Sequence, residues 1–194
     1  MNTRLVPPDV RYHASFLEAV EEFTQSQGED VRFAGLGVLA AVGDFPGEFF
    51  TAEELLQEPT FSAYVERLHE VGQPHTPLPP EIVPSTTLWW VEGDDYLGRL
   101  SIRHRLTQWL FDFGGHIGYA VRPSKRGQGH ATAMLAASLP WAAELGIDPV
   151  LVTCDDTNNA SRRVIEVNGG VLDDQRKEKL RYWIPTAAVP PSRR

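Results

Sequence analysis

The sequence predicts an α/β fold of the α+β kind, with a mixed, mostly antiparallel twisted sheet that holds one central parallel pair and is flanked by helices. Two strand-like runs, 86–91 and 96–103, flank a short turn and predict a hairpin. A third strand at 115–121 would complete an antiparallel meander. A helix and a continuous apolar run at 149–154 follow, and a strand–helix–strand unit of this length predicts parallel strands with a right-handed crossover.

The N-terminal part is predicted to be mainly helical. A short first strand is expected at residues 4–6. Residues 12–25 carry apolar side chains at helical spacing and predict a helix. Residues 51–54, Thr-Ala-Glu-Glu, are typical of a capping box at a helix start. That helix is expected to run in pieces to about residue 71, interrupted at Pro59.

The remaining segments are an unassigned stretch, a further helix and a final hairpin. Residues 33–47 mix glycines with apolar residues and favour no single element. After the buried strand, residues 157–159 can cap a further helix, which the glycine pair at 169–170 ends. Residues 171–184 predict a final hairpin.

We expect a single domain over residues 1–185. It divides into a variable N-terminal helical part, 1–84, and a core, 85–185, with a disordered tail at 186–194. The proline-rich stretch 73–80 is interpreted as a surface loop, because the residues before it carry too few periodic elements for an independent domain.

Composition excludes several classes of protein. The formal net charge of −8 over 194 residues argues against a general nucleic-acid binder. The single cysteine, Cys154, cannot form an intrachain disulfide and fits a reducing compartment. The first residues lack the apolar segment of a signal peptide, and no apolar run reaches the length of a membrane-spanning helix. We therefore expect a cytoplasmic protein with neither nucleic acid nor membrane as partner.

The loop 126–131, Arg-Gly-Gln-Gly-His-Ala, joins the third predicted strand to an amphipathic helix. A basic, glycine-bearing loop that opens a helix can direct several backbone N–H groups and the positive end of the helix dipole at one anion. The sequence contains no P-loop pattern. The dinucleotide pattern fails because Thr132 stands where its third glycine is needed. The loop therefore predicts a phosphate site of another kind.

Two motifs resemble those of the GNAT acetyltransferase superfamily. The loop matches Arg/Gln-x-x-Gly-x-Gly/Ala through Arg126, Gly129 and Ala131. The stretch from Asn158 to Gly169 is similar to the second motif, Asn-x-x-Ala/Ser-x-x-x-Tyr-x-x-x-Gly. With the predicted order of elements, the resemblance covers about half of the chain. It is closest to a poorly characterised bacterial branch of predicted acetyltransferases.

The resemblance implies acetyl-CoA as acyl donor and a role for each matching position. Five loop residues would offer backbone N–H groups to the pyrophosphate: Arg126, Gly127, Gly129, His130 and Ala131. Tyr119 and Val121 would hydrogen-bond the pantetheine arm through their backbone, and an N–H there would polarise the thioester carbonyl. Asn158 would reach the cofactor from the far side of the cleft.

One position departs from the family pattern. Many relatives have a tyrosine there that protonates the departing thiolate, but the corresponding residue here is Ile165, which has no proton to donate. Tyr182 and Tyr119 are the alternative candidates. A thiolate can also leave unassisted, because a thiol is a far stronger acid than an alcohol.

His116 is the candidate base, since it precedes the loop near the position where many relatives have a base-assisting glutamate. Its imidazole titrates in the useful pH range; the alternative is a strand histidine bonded to a neighbouring backbone group. Residues five apart on a strand face opposite sides, so His116 and Val121 share the cleft only if a bulge separates them. The histidines show no metal-ligand spacing, so no metal site is expected.

The sequence thus supports an N-acetyltransferase that moves acetyl directly from acetyl-CoA to the amine of a small molecule or an amino-acid-like acceptor. The alternative is a catalytically idle acyl-CoA-binding or regulatory module, which Ile165 favours. A homodimer is possible because dimers are common in the family.

Overall fold

The computed structural model describes residues 2–27 and 36–186, and a seven-stranded sheet forms its centre. The strands are β1 (Thr3–Val6), β2 (Gly37–Leu39), β3 (Glu48–Phe49), β4 (Ser85–Glu92), β5 (Asp95–Arg103), β6 (Ile117–Val121), β7 (Val150–Asp155), β8 (Val171–Arg176) and β9 (Lys179–Ile184). The sheet has the order β1-β4-β5-β6-β7-β9-β8, and β2 pairs with β3 separately. All neighbours in the large sheet are antiparallel except β6 and β7. The predicted fold class is confirmed.

Helices cover both faces of this sheet. They are α1 (His13–Gln27), α2 (Ala52–Leu55), α3 (Glu58–Glu70), α4 (His130–Glu144) and α5 (Asn159–Val167). On one face, α1 and α3 bury an aromatic cluster that includes Phe16, Tyr64 and Trp89. On the other face, α4 and α5 pack over apolar strand residues such as Leu100 and Val152. Each helix therefore presents its apolar side to the sheet, as the spacing of its residues requires.

The N-terminal helices begin and end as their sequence predicts. Thr51 caps α2: its hydroxyl accepts from the Glu54 N–H (3.2 Å), and the Glu54 carboxylate accepts from the Thr51 N–H (2.7 Å). The helical segment is divided where Pro59 falls in the first turn of α3, a position that needs no N–H donor. The break thus lies before the proline.

A short hairpin and a π-helical turn were not predicted. Strands β2 and β3 form a short hairpin in and after the unassigned stretch 33–47, of which residues 33–35 lie outside the described part. A π-helical turn at Leu110–Gly114 precedes β6. From residue 187 onward the predicted tail also lies outside the described residues.

The parallel strands β6 and β7 meet only at one end. Ile117 and Val152 are their single registered pair, whereas β7 and β9 are paired over six positions. Gly115 lies at this closed end with φ 65° and ψ −179°, a conformation essentially restricted to glycine. A Cβ on Gly115 would lie 2.6 Å from the Leu151 carbonyl oxygen. The close approach of the two strands here requires a residue without a side chain.

We predict that Gly115→Ala lowers the free energy of unfolding by about 3 kcal/mol, because it adds a close backbone contact to an unfavourable φ/ψ region. Gly93→Ala is the matched control: Gly93 also has positive φ, at 58°, but no atom lies within 4 Å of an added Cβ. This control is expected to cost about 1 to 2 kcal/mol. Urea denaturation measures both, and equal losses would contradict the close-approach explanation.

Candidate active site

The loop that leads from β6 into α4 takes its shape from two glycines. After the 3-10 turn at Pro123–Lys125, Gly127 and Gly129 have φ of 75° and 85°, where residues with side chains are rare. A Cβ at either glycine would meet no atom within 4 Å, so both border open space. Gly129 caps α4, and its carbonyl accepts from the Ala133 N–H (3.1 Å). The earlier N–H groups of α4 therefore point out of the helix toward a potential anion.

An ion-pair network fixes this loop to α1. The Arg122 guanidinium donates through Nε to Glu22 (2.7 Å) and through Nη2 to Glu18 (3.0 Å). Glu22 also accepts from the backbone N–H (2.9 Å) and the hydroxyl (3.0 Å) of Ser124. Burial raises the pKa of Glu22, but the bonds from Ser124 and Arg122 outweigh it and hold that pKa below its usual value. The N-terminal helix thus positions the loop that leads into α4.

A cleft of about 510 Å³ opens between the loop, β6 and α5. It brings together all eight residues that the resemblance assigned to the cofactor: Tyr119, Val121, Arg126, Gly127, Gly129, His130, Ala131 and Asn158. His130 contributes its backbone, because its buried imidazole accepts from the Trp90 indole through Nδ1 (3.2 Å). Ser161, Thr132 and Lys125 also line the cleft, although the sequence assigned them no role.

The backbone of β6 is directed into this cleft at alternate residues. His116 precedes β6 and Arg122 follows it, and both bond to β5: the His116 carbonyl accepts from the Arg103 N–H (2.8 Å), and the Arg122 N–H donates to the Leu97 carbonyl (2.8 Å). By the alternation of an antiparallel pair, the even-numbered residues between them also bond to β5. Consequently the N–H and C=O groups of Tyr119 and Val121 point toward β7, which has already diverged. The Val121 carbonyl accepts from Arg126 Nε (3.2 Å). These strand-edge groups suit an extended ligand lying between the strands.

Comparison with family models decides the family. The model described as the acetyltransferase (GNAT) domain matches residues 51–171, well over half of the chain. The chain belongs to the GNAT acetyltransferase family. A search of curated proteins found no similar sequence.

Solved structures of GNAT proteins share this fold at low sequence identity. RimJ of Mycobacterium smegmatis, in complex with CoA-disulfide, has a TM-score of 0.62 at 17% identity over 94% of this chain and 81% of its own. The ribosomal-protein-S5-alanine acetyltransferase of Vibrio fischeri also has 0.62, at 11% identity over 98% and 97%. The yncA protein of Salmonella typhimurium, with acetyl-CoA, has 0.55 at 14% identity over 99% of each chain.

A pair of hydroxyl groups lies inside the cleft of this GNAT domain. The Tyr119 hydroxyl on β6 and the Ser161 hydroxyl on α5 are 2.8 Å apart. Burial raises the pKa of Tyr119 to about 12, although the Ser161 bond opposes the shift, so the phenol stays protonated at neutral pH. Asn158 caps α5 by accepting from the Ser161 N–H (2.9 Å). The cap therefore fixes Ser161 beside the tyrosine.

Ile165 and Tyr182 lie in the hydrophobic core below this pair. Ile165 is fully buried, so the usual tyrosine position of the GNAT motif is filled by a packing residue. Tyr182 on β9 is also buried and outside the cleft lining; its hydroxyl donates to Glu166 (3.4 Å), and burial raises its pKa. Of the two tyrosines named from the sequence, Tyr119 rather than Tyr182 borders the cleft.

His116 does not line the cleft either. The register between β5 and β6 is regular from Ile117 to Val121, with no bulge, so His116 lies on the opposite face from Val121. Its Nδ1 accepts from the Leu151 N–H (2.9 Å), which uses the only lone pair of a neutral imidazole. Burial, and secondarily the charge of Arg103, lower the pKa of His116 to about 4. Accepting a proton from an acceptor amine would break this bond.

Neither a metal-ligand cluster nor a membrane-spanning helix is found among the described residues. Within residues 2–27 and 36–186, no group of three or more His, Cys, Asp or Glu side chains is arranged to hold a metal ion. None of the helices described is long and apolar enough to cross a membrane.

We predict that the free energy of unfolding depends on pH through the titration of His116. Because its pKa in the folded protein is below the unfolded value of about 6.5, its neutral form stabilises the fold above pH 6.5, and this contribution is lost as the pH falls toward 4. His116→Gln, whose amide oxygen can still accept from Leu151, removes this titration. Between pH 7 and pH 5 the wild type should lose on the order of 2 kcal/mol more unfolding free energy than the variant. Urea denaturation at the two pH values measures these losses. An equal loss of unfolding free energy in the wild type and in His116→Gln would contradict this role of His116.

Proposed function

We propose that the protein is an N-acetyltransferase that transfers acetyl from acetyl-CoA directly to the amine of a small or amino-acid-like acceptor. The observation that carries this proposal is the cleft at the diverging ends of β6 and β7, which joins an N–H-rich helix start to two open strand-edge residues, Tyr119 and Val121. A pyrophosphate and an extended pantetheine arm require these two features in this order. Structural neighbours crystallised with acetyl-CoA or CoA support it.

The residues that line the cleft fit acetyl-CoA as the acyl donor. Gly127 and Gly129 form a cradle that a Cβ would partly fill, and the start of α4 supplies N–H groups and a positive dipole for the pyrophosphate. Arg126 adds a positive charge at the mouth of the cleft. The backbone of Tyr119 and Val121 would hold the pantetheine arm, and an N–H there would stabilise negative charge on the thioester oxygen. Acetyl-CoA itself supplies an acyl group activated as a thioester.

The Tyr119–Ser161 pair takes the role of proton donor in this proposal. The amine nitrogen forms a bond to the acyl carbon, the carbon–sulfur bond breaks, and the sulfur leaves as a thiolate. The hydroxyl pair passes a proton to that thiolate, which gives the free thiol, and the phenolate that remains regains a proton from water. The proton of the amine passes to water rather than to His116, whose Nδ1 is already engaged.

An acyl-CoA-binding module without turnover is the second candidate, because Ile165 fills the usual acid position with a core residue. Assays with a broad panel of amines separate the two: saturable acetyl-CoA binding without any amide product would favour the module. The single domain, the cytoplasmic location and the homodimer stay predictions.

We expect Gly129→Asp to abolish acetyl-CoA binding, since it puts a carboxylate where the pyrophosphate would lie and repels it. Gly129→Asn is the neutral control of the same size and should retain more affinity. Gly146→Asp is the control for position, because Gly146 also has positive φ and open space around it but lies at the other end of α4. This variant should bind acetyl-CoA with normal affinity. Isothermal titration calorimetry measures all three, and unchanged affinity in Gly129→Asp would contradict the phosphate site.

Removing the hydroxyl pair should slow the chemistry without weakening donor binding. Ser161→Ala and Tyr119→Phe are each expected to lower kcat by about 10- to 100-fold, the lower part of the range for a general acid because a thiolate is a good leaving group. Tyr182→Phe is the control, since that hydroxyl lies outside the cleft lining. An equal loss in Tyr182→Phe, or none in either cleft variant, would contradict the assignment.

A further inference from the structure

The face of the sheet opposite α4 and α5 carries a strip of small residues beside the aromatic cluster. Thr87 on β4, Ser101 on β5 and Gly118 on β6 are neighbours in the register, and all three are partly exposed. The Thr87 and Ser101 hydroxyls are 3.5 Å apart. The aromatic cluster under α1 and α3 lies to one side, and the π-helical turn at Leu110–Gly114 covers β7 and β9 on the other, where Thr153 bonds to the Phe113 carbonyl.

The guanidinium of Arg103 lies over this strip. Arg103 follows Ser101 by two residues on β5 and therefore points to the same face. Its Nη1 donates to the carbonyls of Gly114 (3.0 Å) and Gly115 (3.1 Å), which fixes the plane of the group. Its Nη2 is 3.6 Å from the position of a Cβ on Gly118. The group is thus held in place above β6 beside the closed end of the strand gap.

The positive charge of Arg103 lacks a carboxylate within the described part of the chain. Three other arginines with shielded guanidinium groups do have one: Arg67 pairs with Glu48, Arg122 with Glu18 and Glu22, and Arg181 with Asp173 and Asp174. Arg103 contacts only carbonyl oxygens, in a protein with net charge −8. Burial, and secondarily the charge of the nearby Arg99, lower the pKa of Arg103.

We propose that Arg103 binds a carboxylate of the acceptor, so that the substrate is a small amine carrying a carboxylate, as an amino acid does. This inference rests on the proposed acetyl transfer. Gly118 precedes Tyr119, which lines the cofactor cleft, and β6 and β7 have no registered pair beyond Ile117 and Val152 that would close the sheet between the two faces. A carboxylate on Arg103 places a nearby amine at that gap. The fixed guanidinium retains Nη2 for a charge-assisted hydrogen bond, the strong kind.

Matched acceptors test this charge recognition directly. Wild-type protein is assayed with the standard amino acids and with their carboxamides, which keep the amine and the side chain but lack the negative charge. For the preferred side chain, kcat/KM is expected to be at least about tenfold higher for the acid, the difference that one charge-assisted bond supports. Equal turnover of acid and amide would overturn the inference while leaving acetyl transfer intact.

Gly118→Asp supplies an internal competitor for the same guanidinium. The contacts of the added Cβ with Arg103 are ordinary at 3.6 and 3.8 Å and Gly118 does not have positive φ, so the variant can fold. We expect KM for the acid acceptor to rise at least about tenfold while acetyl-CoA affinity is unchanged. Gly118→Asn, of equal size but neutral, should raise KM less. Equal effects of Asp and Asn would show that bulk, not charge, matters and would contradict the inference.

A binding measurement separates failure of this inference from failure of the proposed reaction. N-acetyl amino acids, the expected products, are titrated by calorimetry into CoA-saturated wild type and into Gly118→Asp. Binding to the wild type that weakens in Gly118→Asp, but not in Gly118→Asn, supports the carboxylate site even if no acceptor turns over. Absence of binding to the wild type together with absence of turnover would overturn it.

Discussion

The divergence of β6 from β7 is the constraint on which the site depends. The closed end is held by the His116 N–H, which donates to the Leu151 carbonyl (2.7 Å), and by the Leu151 N–H, which donates to His116 Nδ1 (2.9 Å). Gly115 allows this approach because it has no side chain. Beyond Ile117 and Val152 the strands separate, since β7 follows β9 while β6 follows β5. Ligand space at the carboxyl ends of parallel strands is the direct consequence.

This opening is useful only because the loop at its end is held by a distant part of the chain. Arg122 is the first residue of the loop between β6 and α4, and its two carboxylate partners, Glu18 and Glu22, come from α1, about a hundred residues earlier. Ser124, inside the loop, bonds to the same Glu22. The N-terminal helix therefore fixes this loop as well as packing over the aromatic cluster. This link could not be predicted from either segment alone.

The conformation of the loop before α4 could be predicted from sequence, whereas the surroundings of His116 could not, for a physical reason. The shape of the phosphate loop is set by neighbouring residues, chiefly Gly127 and Gly129, so a short pattern identifies it. The environment of His116 is set by the Leu151 N–H, 35 residues away, and a motif cannot show that this bond takes the imidazole lone pair. Strand alternation left two alternatives for His116 and Val121, opposite faces or a bulge between them, and the register from Ile117 to Val121 contains no bulge. Without the bulge, that alternation excludes a shared cleft.

The absence of the usual tyrosine at Ile165 also has a structural explanation within the proposed mechanism. Ile165 faces the core, and its Cγ2 and carbonyl lie so close to Gly170 that an added Cβ there would be 2.5 and 2.8 Å away. A packing residue at this position therefore closes the end of α5 against the following turn. The phenol instead comes from β6, across the cleft, and reaches α5 through Ser161. Since β6 and α5 are close enough for this bond, a hydroxyl group on either element can reach the same part of the cleft. The proposed proton donor therefore need not come from position 165, and Ile165 alone does not argue against catalysis.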